Sequence, residues 1–179
     1  MSRPGFQKIQ GKGIDLIEIA PSYFEQVVGW RNDPENRRCF FSHHPWTLEG
    51  QRRWYEKYLA DPSDLTFVIT LKNGLPIGTV ALYSIDEQRG SVEFGRLLIG
   101  DRVCKGRGRA KEATTLCVSL AFDRLHLKQV SLEVYEWNTA AIGIYKQNGF
   151  AVEEIVTQQD PENKVVRMKL ERQAICQNA

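Results

Sequence analysis

Between an apolar run ending at Ile99 and a small-residue stretch opening at Ala110 stands Lys105-Gly106-Arg107-Gly108-Arg109, two glycines among three cations at the junction of a strand and a helix. Glycine reaches backbone conformations closed to other residues, so neighbouring amides can converge, and the N-terminus of the following helix adds partial positive charge. This is a cradle for a pyrophosphate. Lys105, Arg107, Arg109 and Lys111 add formal positive charge at the same place, which suits a phosphate-rich ligand better than a neutral one. A dinucleotide fingerprint needs a third glycine where Lys111 stands, and a P-loop needs a Gly-Lys-Ser/Thr ending that the segment lacks. A solvated glycine turn is the competing reading, and only the surrounding elements separate the two.

Those elements can be read in order. Ile14 to Ile19 is a first strand, Pro21-Ser22 starts a helix with Tyr23, Val27, Val28 and Trp30 inward, and Arg31 to Asn36 breaks the pattern. Phe40 to Trp46 is an aromatic loop. Thr47 caps a second helix whose inner face is Gln51, Trp54, Tyr55 and Leu59 and which stops near Asp61-Pro62. Leu65 to Leu71, Ile77 to Ile85 and Ser91 to Ile99 form an antiparallel meander. The helix after Gly108 turns Ala110, Ala113, Thr114, Cys117, Leu120 and Ala121 to one face, small enough to lie close on a sheet, and ends near Leu125. Val130 to Tyr135 is a strand, Asn138 caps a helix reaching Asn148, and Gly149 stops it before a strand at Phe150 to Thr157. Asp160 to Asn163 turns into a last strand at Val165 to Leu170.

The helix after Asn138 carries the more specific motif, Asn138-x-x-Ala141-x-x-x-Tyr145-x-x-x-Gly149-Phe150. Ordinary helix construction explains it in isolation: a cap, inward residues and a terminal glycine. Taken with the cradle, the strand, helix, strand and capped helix resemble the core of the GNAT superfamily of N-acetyltransferases. That family's cradle reads Gln/Arg-x-x-Gly-x-Gly/Ala, and Lys105-x-x-Gly108-x-Ala110 departs from it conservatively at its first position. Trp30-Arg31-Asn32-Asp33-Pro34 with Thr47 and Trp54 looks like the branch of ribosomal-protein N-terminal, spermidine and nucleotide-amino-sugar acetyltransferases.

The resemblance implies an α+β (mixed α/β) fold with a central, mostly antiparallel, splayed sheet flanked by helices. One domain spanning residues 1–179 is expected, with 1–64 as the acceptor-side strand and helices and 65–171 as the sheet and acetyl-CoA-binding core. Acetyl-CoA is the implied co-substrate. The backbone of Leu97, Leu98 and Ile99 would meet pantetheine and support the oxyanion, while Lys105, Gly106, Arg107, Gly108, Arg109, Ala110, Asn138 and Tyr145 complete the cofactor set. Tyr145 is the implied general acid, since a phenol of pKa about 10 protonates a thiolate of pKa about 8.5 only where geometry assists. Glu93 and Glu133 compete as base. Each sits among apolar strand residues, where burial would raise its pKa, yet alternation could equally turn it into solvent. The spacing of Glu133 to Asn138 and Tyr145 also resembles that of the ribosomal-protein enzymes.

Composition bounds the rest. At 179 residues, 42% hydrophobic and 26% charged, the chain can bury one sizeable core. A net charge of +2 is too small for a nucleic-acid scavenger. Cys39, Cys104, Cys117 and Cys176 form no Cys-x-x-Cys pair, so reduced thiols and no metal are expected. The amino terminus lacks a secretion signal's apolar run and no stretch could span a bilayer, so a cytoplasmic protein without a membrane partner is expected. Arg31, Asn32, Phe41, His43 and Trp46 are the expected acceptor pocket. Adjacent His43 and His44 could grip a phosphate, although exposed loop histidines are commonplace. A nucleotide-linked amino sugar is the first choice of acceptor, with a peptide or ribosomal-protein N-terminus and a polyamine as alternatives. An inactive acetyl-CoA-binding regulator is the non-enzymatic one. The aromatic loop or final strands could form a homodimer interface.

Overall fold

A computed structural model describes residues 5–157 and 164–172. Eight strands form one sheet in the order β1-β2-β3-β4-β5-β6-β8-β7. They are β1 (Lys8–Gln10), β2 (Ile14–Glu18), β3 (Leu65–Leu71), β4 (Pro76–Asp86), β5 (Ser91–Ile99), β6 (Gln129–Tyr135), β7 (Ala151–Thr157) and β8 (Lys164–Glu171). All pairings are antiparallel except β5 with β6. The mixed, mostly antiparallel architecture expected from sequence is therefore present. The turn expected at Asp160 to Asn163 lies outside the described residues.

Alternation in β3 distributes its side chains to two helical layers. Val68 joins Ile19, Phe24, Val27 and Tyr58 beneath α1 (Phe24–Asn32) and α3 (Leu48–Ala60). Phe67 and Ile69 face the other way, into the larger core with Ala113 and Cys117 of α4 (Arg109–Ser119) and Tyr145 of α5 (Thr139–Gln147). Each such buried aliphatic or aromatic side chain contributes about 1.5–3 kcal/mol, so both faces of β3 are anchored. The small residues of α4 bring it close to the sheet, and the helix continues as one π-helical turn over Leu120–Arg124.

Three local expectations change. β1 is an additional strand, pairing with β2 from Lys8 to Gln10. The segment expected to break at Arg31 is helical through Asn32, and Asp33 then caps α2 (Pro34–Arg37) by accepting from the Glu35 amide at 3.0 Å. Proline at the first helical position explains why a Pro after Asp starts a helix here instead of ending one. Leu59 is 58% exposed, because the buried stripe of α3 runs through Gln51 and Tyr58, with Trp54 and Tyr55 beside it. That stripe steps by three and four residues from Gln51 and passes Leu59 by.

The feature that makes a site is the parting of β5 from β6. They pair only where Ser91 to Glu93 meet Gln129 to Ser131, and beyond Glu93 they share no register. β5 bends at a bulge: Thr79 pairs with Leu98 but Ala81 pairs with Gly95, so Arg96 and Leu97 drop out of the register with β4, and the Thr79 hydroxyl donates to the Arg96 carbonyl at 2.9 Å. Arg96 sits at φ 52°, the left-handed region that non-glycine residues seldom adopt. The sheet is thus splayed where the bulge begins.

Candidate active site

A cleft of about 440 Å³ opens between the parted strands. Gly95 to Ile99 of β5 form one wall, while Glu133 and Val134 of β6 with Asn138, Ala141, Ile144 and Tyr145 of the following helix form the other. Lys105, Gly106 and Ala110 also line it, as do Glu35, Asn36, Cys39, Phe40 and Phe41 from α2 and the segment after it. A second groove of about 240 Å³ runs from Ile99 and Gly106 past Gly108, Arg109 and Ala110 to Lys111.

The glycine cradle is built as a phosphate site requires. Gly106 and Gly108 have φ of 72° and 75°, and a Cβ at either would meet only open space. Conformation, not crowding, demands glycine there. No side chain caps α4, so its first amides are available at the groove. Arg109 donates one guanidinium N–H to the Cys104 carbonyl at 3.1 Å, which steadies the turn. Arg107 lines neither cavity, and its side chain and that of Lys111 make no ion pair among the described residues. An uncapped helix start, two positive-φ glycines and free cations are a donor set that fits a pyrophosphate.

Asn138 caps α5 by accepting from the Ala141 amide at 3.2 Å, which fixes the helix that carries Tyr145. Tyr145 is 7% exposed, edge-on to Phe94 and Phe150 at 5.8 and 6.0 Å. Among the described residues no protein group hydrogen-bonds its hydroxyl. Burial pushes the phenol well above its ordinary value, with smaller contributions from Cys39 and Tyr83.

The two carboxylates expected as bases are both exposed, because alternation turns them away from the core. They are not equivalent. Glu93 lies only in an outer groove with Glu153 and Arg167, whereas Glu133 borders both that groove and the cleft. Arg167 holds Glu133 at 2.7 Å and also pairs with Glu154.

The expected acceptor set is only partly gathered. Phe41 lines the cleft and is 47% exposed. Arg31 is stacked between Phe40 and Trp46, 4.6 Å from each ring, and lines a small separate recess with Trp46 and Arg96. Burial and the nearby Arg96 charge lower its pKa. The Asn32 amide is consumed in a two-point clamp on the Trp46 backbone, donating at 2.7 Å and accepting at 2.8 Å, so it shapes the loop. His43 lies outside the cleft, its Nε2 3.4 Å from the Tyr135 hydroxyl.

Sequence reasoning missed Glu35, Asn36, Cys39, Tyr83 and Arg96, all of which border the cleft. Gly95 in mid-strand was the available signal for Arg96, since an isolated strand glycine marks a bulge or a close approach. Here it does both: a Cβ on Gly95 would lie 2.8 Å from the Tyr83 hydroxyl.

Comparison with known proteins agrees with this geometry. The family model described as "Acetyltransferase (GNAT) domain" matches residues 14–151. An N-acetyltransferase 9-like protein of Caenorhabditis briggsae is 25% identical over 156 residues, 80% of this chain and 77% of that one. The spermidine N(1)-acetyltransferase of Escherichia coli strain K12 is 33% identical over 99 residues, 55% of this chain and 52% of that enzyme, so the match spans about half of its length. In fold, the crystal structure of spermidine N-acetyltransferase from Vibrio cholerae in complex with CoA and spermine has a TM-score of 0.82 at 22% identity, covering 90% of this chain and 96% of that one. No described helix is long and apolar enough to cross a membrane. The matched family domain, spanning cradle, splay and capped helix together, makes this chain a member of the GNAT acetyltransferases and an acetyl-CoA-dependent N-acetyltransferase.

Proposed function

We propose that the cleft transfers the acetyl group of acetyl-CoA to a primary amine of a polyamine. One observation supports the transfer half above the others. Tyr145 brings a buried hydroxyl, free of protein hydrogen bonds among the described residues, to the same cleft as the bulged backbone of Arg96 and Leu97. The co-substrate supplies an acyl carbon activated as a thioester. The chain supplies the amides at Gly106 to Ala110 for the pyrophosphate, the β5 backbone at Leu97 to Ile99 for pantetheine, and the Tyr145 hydroxyl for the sulfur. Its raised phenol stays protonated, so it donates a hydrogen bond as charge grows on the thiolate.

The acceptor ammonium, with a reference pKa of about 10.4, must lose a proton before it attacks. Glu133 is the better placed base of the two, directly or through water, because it alone borders both the cleft and the outer groove. Replacing Glu133 with Gln is expected to lower the rate and remove the fall of the rate on the acidic limb of the pH profile, and Glu93→Gln to leave that limb as it is. The opposite pattern would transfer the role to Glu93.

For the acceptor, the spermidine enzymes among the relatives favour a polyamine. Glu35 and Glu133 put two carboxylates in the cleft beside the aromatic faces of Phe40, Phe41 and Tyr83, a setting for an extended polycation. The amino-sugar expectation loses its support here, since Asn32 is committed to Trp46 and His43 does not line the cleft. Free-thiol release from acetyl-CoA, measured with spermidine, a peptide bearing a free N-terminus and a nucleotide-linked amino sugar, tests the proposal. Turnover is expected with spermidine. Peptide-only or sugar-only turnover would replace the acceptor, and tight acetyl-CoA binding without turnover of any amine would favour a binding regulator.

A further inference from the structure

Lys105 is the first residue of the cradle, where the family pattern expects a side chain for a phosphate. Its ammonium is engaged elsewhere: it donates to Asn36 Oδ1 at 2.8 Å. Asn36 Nδ2 in turn donates to the Trp30 carbonyl at 3.0 Å. Asn36 is 2% exposed, so removing the ammonium leaves a buried amide oxygen without that partner.

The same two regions meet twice more. Arg102, just before the cradle, pairs with Asp33 at the start of α2 at 2.8 Å. Gly100 lies so close under Trp30 that a Cβ would fall 2.1 Å from the indole. Three contacts therefore fasten the exit of β5 to the corner between α1 and α2. That corner carries Glu35, Cys39 and Phe40 into the cleft.

We propose that Lys105 is a positioning residue for the acceptor wall, acting through Asn36, and not a phosphate ligand. It holds α2 at a set distance from the bulge where the thioester is expected, while phosphate binding falls to the cradle amides, to Lys111, which lines the groove, and to the exposed Arg107, neither cation making an ion pair among the described residues. The proposal rests on the acetyl-transfer reading of the cleft for its kinetic arm, and on the fold alone for its binding and labelling arms.

The test compares Lys105→Met, Lys105→Arg, Asn36→Leu and Arg107→Met in a Cys176→Ser background. Acetyl-CoA affinity is measured calorimetrically without acceptor, and Cys39 accessibility by the rate of thiol labelling of the free protein. Lys105→Met and Asn36→Leu should each leave acetyl-CoA affinity within about twofold, raise acceptor KM about tenfold with a smaller change in kcat, and change the labelling rate of the exposed Cys39. The double variant should be no worse than either single one, because both break the same link. Lys105→Arg, which keeps a donor, should stay close to the parent in acceptor KM and Cys39 labelling, and Arg107→Met should weaken acetyl-CoA binding. If Lys105→Met weakens acetyl-CoA by fivefold or more while Cys39 labelling stays at the parent rate, the lysine is a phosphate ligand and the proposal is wrong. If the parent turns over no amine, the functional reading fails, and affinity and labelling still decide the role of Lys105.

Discussion

Tyr145 is the residue whose chemistry is most exposed to experiment, because its environment limits it to one direction of proton traffic. Burial raises its pKa, so it remains protonated through the range in which an amine acceptor becomes neutral. Tyr145→Phe should fold normally, keep its acetyl-CoA affinity and lose about 10²-fold or more in kcat. A variant with parent kcat would strip the tyrosine of its role. The same shift has a stability consequence. A group whose folded pKa lies above its unfolded one stabilises the fold fully below the unfolded value and loses that contribution as pH rises toward the folded value. Cys117, fully buried in the core, is raised in the same sense by burial. Its unfolded reference is lower, so resistance to urea should begin to fall as pH rises through about 9 with the thiol, and fall further above about pH 10 with the phenol. Urea midpoints across that range check it, and a pH-independent midpoint would contradict the burial of both groups. Tyr145 was legible in the sequence because its spacing from Asn138 follows the helix period. Asn36 was not, because an asparagine among charged residues reads as surface until Lys105, far along the chain, is brought to it.

At the scale of elements, caps and close approaches decide what the site can hold. Asn138→Ala removes the N-cap of α5 and should cost about 1 kcal/mol of stability, and with it some of the ordering of Tyr145. Chemical denaturation with kinetics on the same sample would reveal both, and unchanged stability would mean that the Ala141 amide finds another partner. Gly100→Ala should be worse, by about 1–3 kcal/mol, since its Cβ has nowhere to go but into the Trp30 ring. Gly108→Ala is a contrasting case: open space surrounds it, so the strain comes only from φ 75°, and acetyl-CoA affinity should suffer more than the melting temperature. The strands β2 to β8, with α3, α4 and α5, follow from hydrophobic period and cap chemistry close to their observed bounds. α2 escapes such reading, because four residues of Pro-Glu-Asn-Arg carry too little period to distinguish a short helix from a turn.

At the scale of the molecule, the parting of β5 and β6 leaves the two halves of the sheet joined by few hydrogen bonds, and a co-substrate in the gap would tie them together. Acetyl-CoA at about 100 times its dissociation constant should add about 2.7 kcal/mol to unfolding stability, read as a rise in melting temperature. With its phosphates on the exposed cations of the proposed cradle, the rise should shrink at high salt. A salt-independent shift would argue that phosphate contributes little. The edge strand β7 exposes Val152 and Ile155, which makes it the place to look first for the expected self-association, by sedimentation velocity.

The sequence alone determined the order of the strands from β2 to β8 and of the longer helices, the glycine turn proposed as the phosphate cradle and the helix that presents Tyr145, because these depend on local dihedral preference and on period within a few turns of chain. Tertiary structure decided which carboxylate borders the cleft, that Asn32 and His43 turn to structural partners, and that Lys105 reaches Asn36. Those outcomes depend on where the strands part and on the bulge at Arg96, and therefore on pairings between residues distant in sequence. The acetyl-donor half is local and was readable; the acceptor half is assembled by contact across the cleft and was not.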